Sequence, residues 1–97
     1  MLFRSRYSWK SWLGNERHTV KLRFSKEWIE WRNPRHLLDA ESVEEQSDGS
    51  SIITITVNSL NEIASWIAGR GKGITILEPI ELKNKVIELA NGVLKNY

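Results

Sequence analysis

Residues 48–82 read DGSSIITITVNSLNEIASWIAGRGKGITILEPIEL. Asp48-Gly49 is a hairpin turn pair, because glycine supplies the positive φ that tight β-connections need. Residues 52–57 then alternate, with Ile53, Ile55 and Val57 on one face and Thr54 and Thr56 on the other. That period of two marks a strand with one buried side. Ser59-Leu-Asn-Glu62 has the spacing of a capping box, and Leu60, Ile63, Ala64 and Ile67 follow on one helical face. The glycines at 69, 71 and 73 stop this helix, with Gly69 or Gly71 in the left-handed position of a C-cap. Residues 74–77 form a short strand, and Pro79 suits the first turn of a new helix. The stretch specifies shape, and nothing in it has the pattern of a catalytic motif.

Toward the N-terminus, residues 19–24 repeat the two-residue alternation: Val20, Leu22 and Phe24 inward, Lys21 and Arg23 outward. Ser25 is placed to cap the helix that follows, and Glu27 puts an acid in its first turn. Phe24 and Ile29 have the spacing of a hydrophobic staple. Asn33 precedes Pro34, which pushes it out of helical space and ends the element. Residues 40–46 are polar with one strong apolar side chain, Val43, and read as an edge strand guarded by its charges. Beyond Pro79, Leu82, Val86, Leu89, Val93 and Tyr97 recur at helical spacing, and Gly92 weakens the last turns.

The order is β-α-β-β-α-β-α. Its first six elements match the split βαβ, or ferredoxin-like, arrangement: an α+β fold with a four-stranded antiparallel sheet. The seventh is an additional C-terminal helix whose apolar stripe needs cover on the domain or on a partner. Residues 1–17 fit poorly as core and read as an N-terminal arm or the end of a connector, leaving 18–97 as the folded domain. With 97 residues the chain supports one domain and one modest core. It contains no cysteine and no apolar run near the ~20 residues of a membrane helix, so the expectation is a cytoplasmic protein without membrane attachment. The net charge of +2 hides an asymmetry, basic over the first 24 residues and acidic over residues 39–48.

Two clusters are candidates for a working surface. Lys21, Arg23, Thr54 and Thr56 point outward from the two central strands, and cations beside hydroxyls suit an anion or a small ligand. The same residue types are also ordinary on a solvated sheet face. Aromatic bases of a nucleic acid have no stacking platform there, since none of the four is aromatic. Trp28, Trp31, Arg32 and Arg35 on and after the first helix, with Trp9 and Trp12 in the basic arm, have the composition of an interface. Against this, Trp28 also fits the core. Trp66 sits beside the core face of the second helix and reads as packed on the sheet or the last helix.

Enzymatic patterns are absent from the sequence. His18 and His36 are the only histidines and have no metal-site spacing, so no metal, cofactor or catalytic residue is expected. GRGKG at 69–73 lacks the Ser or Thr that follows the lysine of a phosphate-binding P-loop, and serves as a turn.

VKLRFS at 20–25, SDG at 47–49, VNSLNEIASWIAGRG at 57–71 and ITILEPIELKNKV at 74–86, in this order and spacing, resemble a WCX domain. That is the C-terminal extension following the WYL domain in bacterial transcription regulators. The resemblance runs from about Thr19 to Tyr97 and loosely into Ser11-Trp12-Leu13-Gly14. It implies a non-catalytic regulatory or dimerisation domain, paired with a second copy or docked on a WYL domain. It also implies that DNA is met only through a helix-turn-helix domain, which this sequence does not contain. The alternative is a stand-alone ACT-like domain that senses a small molecule or anion on its open sheet face.

Overall fold

The computed structural model describes residues 17–31 and 40–97. Its elements are β1 (His18–Phe24), α1 (Lys26–Trp31), β2 (Ser42–Glu45), β3 (Ser51–Val57), α2 (Leu60–Arg70), β4 (Ile74–Glu78) and α3 (Ile80–Leu94). The strands form one antiparallel sheet in the order β2-β3-β1-β4, so β1 and β3 are central. This is the ferredoxin-like arrangement with an added C-terminal helix.

The alternation of apolar and polar residues sets the two faces. Val20, Leu22 and Phe24 of β1 and Ile53, Ile55 and Val57 of β3 are all buried. With Trp28 of α1, Leu60, Ile63, Ala64, Trp66 and Ile67 of α2, and Leu82 of α3, they make one continuous core. At ~25 cal/mol per Å² this burial is the main favourable contribution to folding. β2 behaves as the charged edge strand that its sequence suggests: only Val43 is partly covered.

The β2–β3 turn is built around Asp48 and Gly49. Gly49 has φ +90° and its N–H donates to the Gln46 carbonyl at 3.1 Å. The Ser50 N–H and hydroxyl both donate to Asp48 Oδ1, at 2.9 and 2.6 Å. These bonds hold the Asp48 carboxyl below its usual range, with the Arg23 charge adding to the effect.

The caps of α2 and α1 compare differently with expectation. Ser59 does occupy the N-cap of α2 in extended conformation, but its side chain makes no capping hydrogen bond. The capping box is therefore spacing without the bond. At α1 the cap is made: the Trp28 N–H donates to Ser25 Oγ at 3.4 Å. Phe24 packs edge-on against Trp28 with ring centroids 5.2 Å apart. The proposed staple partner Ile29 has its side chain outside the described residues.

Gly71, at φ +69°, ends α2, and its N–H donates to the Ile67 carbonyl at 3.1 Å. Gly69 remains within the helix. The third glycine, Gly73, has φ +95°, and its carbonyl accepts from the Ser25 N–H at 2.8 Å. That bond ties the start of β4 to the start of α1.

Pro79 is the N-cap of α3, in extended conformation just before the first turn expected for it, and its carbonyl accepts from the Leu82 and Lys83 N–H groups. It packs on α2 and against β4. The sequence suggests a stripe of Leu82, Val86, Leu89, Val93 and Tyr97 in need of cover. Within this chain only Leu82 is buried and Val86 partly so; Leu89, Val93 and Tyr97 are exposed.

Candidate functional site

The outward face of the sheet is a lattice set by strand register. Lys21 lies opposite Thr54 on β3 and beside Glu78 on β4, and Thr54 in turn lies opposite Ser42 on β2. The next row runs Glu44, Ile52, Arg23 and Thr75. The structure thus brings Lys21 and Thr54 together directly and places Arg23 one row away. Thr56 pairs with Thr19, and its hydroxyl donates to Glu41 Oε1 at 3.0 Å.

Charge decides what this face can hold. Carboxylates share this face: Glu78 lies beside Lys21, Asp48 is within the field of Arg23, and Glu44 stands in the Arg23 row two strands away. An anion would have to compete with these fixed acids. The competing acids come from β4, β2 and the hairpin turn, and only the tertiary pairing brings them in.

Trp28 of the tryptophan cluster is a core residue and not an exposed interface anchor. It is 8% exposed, with Phe24 edge-on and Trp66 at 6.2 Å between centroids. Trp66 is equally buried, also faces Phe24 at 6.5 Å, and carries the Arg70 guanidinium 4.6 Å over its ring. The four-residue spacing of Trp66 and Arg70 on one helix was the signal for that stacking. Trp31 is described only as the last residue of α1. Trp9, Trp12, Arg32 and Arg35 lie outside the described residues, as does His36.

Among the described residues, no group of three or more His, Cys, Asp or Glu is placed to hold a metal ion. Nor is any described helix long and apolar enough to cross a membrane.

The larger unpolarised surface lies elsewhere. Leu77 at the end of β4 and Ile80, Ile87, Leu89, Val93, Leu94 and Tyr97 on and after α3 are all exposed. The helical stripe 82-86-89-93-97 leaves out Ile80, Ile87 and Leu94, although their seven-residue spacing is visible in the sequence. Scattered apolar side chains are ordinary on a surface; here they are concentrated along one helix.

In comparison with known proteins, the family model described as WCX domain matches residues 16–94. No curated protein matches the chain.

Proposed function

We propose, from the premise that this chain belongs to the WCX domain family, that it is the C-terminal regulatory domain of a WYL-type bacterial transcription regulator. It acts by association and not by chemistry of its own. Its partner is a WYL domain or a second copy, and DNA is reached only through a helix-turn-helix domain elsewhere. The observation that carries this reading is the distribution of its surface. On the sheet face Lys21 lies in register with Glu78, whereas α3 leaves a line of large apolar side chains uncovered.

The alternative, a stand-alone sensor of an anion or small molecule at Lys21, Arg23, Thr54 and Thr56, is favoured by one observation: Lys21 and Thr54 are direct register partners. The carboxylates around them weigh against it.

The test begins with gene context, which should place a WYL-domain reading frame directly upstream or in frame. Calorimetric titration of that WYL protein with this chain should then give saturable binding. No heat and no co-elution, at about 100 µM of each protein, would rule out the WYL partner, since that leaves less than ~5 kcal/mol of binding; the association reading falls if the chain is also monomeric at that concentration.

A further inference from the structure

We infer that α3 is a homotypic interface, pairing antiparallel with α3 of a second copy of this chain. The inference deepens the association reading and rests on it. Ile80, Ile87 and Leu94 recur every seven residues and are 61%, 48% and 69% exposed. Val86 and Val93 keep the same interval beside them, and so do Ala90 and Tyr97. A seven-residue apolar repeat is the seam that meets another helix, because 3.5 residues per turn keeps one stripe facing a partner. A flat sheet or a loop has no use for that period.

The area matches a second copy. Tyr97 is fully exposed and offers roughly 150–250 Å², and the partly exposed Ile80, Ile87, Val93 and Leu94 bring the sum to about 700 Å². That exceeds the roughly 300–600 Å² of the largest patch on a typical monomer. It is close to the ~800 Å² that each partner gives to a standard interface.

Charge fixes the direction. In a parallel pair Lys83 would meet the partner's Lys83 in the seam, like charge on like charge. An antiparallel pair centred between Ile87 and Ala90 sets Ile80 against the partner's Tyr97 and Ile87 against the partner's Ala90. Lys83 then lays its methylene stem along the partner's Leu94 and keeps its ammonium in water. Glu81, Lys85 and Glu88 fall on the opposite side of the helix, outside the seam.

Sedimentation of the full chain from about 1 to 100 µM is expected to show a monomer–dimer equilibrium, the range a modest interface of this size supports. Ile87→Glu should weaken the dimer at least about tenfold, with an unchanged far-UV spectrum and, at concentrations where both proteins are monomeric, an unchanged melting temperature, because the site is exposed in the monomer. Lys21→Ala combined with Arg23→Ala should leave the dimer unchanged. Direction is read separately, since the chain has no native cysteine. Ile80→Cys and Tyr97→Cys proteins mixed together should form the mixed disulfide, and each alone should not. A monomer throughout this range, or an Ile87→Glu protein that still dimerises, overturns the inference. So do disulfides within each single variant, which indicate a parallel pair. If the monomer nevertheless titrates a WYL protein and Ile87→Glu abolishes that binding, the association reading survives and the seam belongs to the WYL partner.

Discussion

Trp28 lies so close over Gly73 that a β-carbon on the glycine would stand 2.7 Å from Trp28 Cδ1. Ser25 Oγ would be 3.0 Å away from the same atom. Gly73 also has φ +95°, where an L-residue is strained. Gly73→Ala is therefore expected to destabilise the fold by about 2 kcal/mol or more, summing backbone strain and overpacking. Gly69 makes the contrast: it sits inside α2 and an added methyl there meets nothing within 4 Å. Gly69→Ala should stabilise by roughly 0.5–1 kcal/mol. Urea melts of both variants check the pair, and equal effects would refute this account of the glycine turn.

Trp28 and Trp66 share one aromatic cluster with Phe24. Trp28→Ala and Trp66→Ala should each cost about 3–5 kcal/mol. The double variant should cost less than the sum, since the two rings touch. A Trp28→Ala protein of full stability would place that indole on the surface after all.

Asp48 makes a pH prediction. Its carboxyl is held below the ordinary value near 3.8, first by the Ser50 hydroxyl, then by the Ser50 N–H, and more weakly by Arg23. A carboxyl with a lowered folded value stabilises the fold when ionised. That contribution is present above the unfolded value and is lost as pH falls through the folded one. Asp48→Asn removes the titration, so stability below about pH 4 should fall less steeply than in the parent. Because Asp48 is exposed, the difference is a small change of slope, read from urea midpoints at several acid pH values. Identical slopes would rule out the Asp48–Ser50 contribution.

Leu82 and Leu94 lie on the same helix and differ in what they touch. Leu82 is fully buried and anchors α3 to the core, whereas Leu94 is exposed. Leu82→Ala should cost about 2–5 kcal/mol. Leu94→Ala should change the stability of the monomer by no more than about 0.5 kcal/mol. Thermal melts at low protein concentration separate the two, and a large loss from Leu94→Ala would mean that the helix end is packed within the chain.

Much of this molecule was legible from periodicity. The two-residue alternation at 19–24 and 52–57 assigned both faces of β1 and β3 correctly, because a strand in a half-buried sheet has no other way to place its apolar side chains. The Asp48-Gly49 pair located the hairpin, and the glycine run located the end of α2. The Ser59–Glu62 spacing misled, since the N-cap position formed without the side-chain bond. Spacing shows that a bond is possible, while its formation depends on side-chain geometry that spacing does not encode.

By itself, then, the sequence determined the order of elements, the inward residues of the central strands and the resemblance to the WCX family that the match over residues 16–94 establishes. These follow from local periods and turn chemistry, which act over a few residues. The tertiary structure alone decided which distant side chains meet. It set Glu78 beside Lys21, joined Glu41 to Thr56 fifteen residues away, and buried Trp28 between Phe24 and Trp66. It also decided which part of the last helix the domain covers. The core ends near Val86, so the apolar residues beyond it keep their helical pattern and face outward.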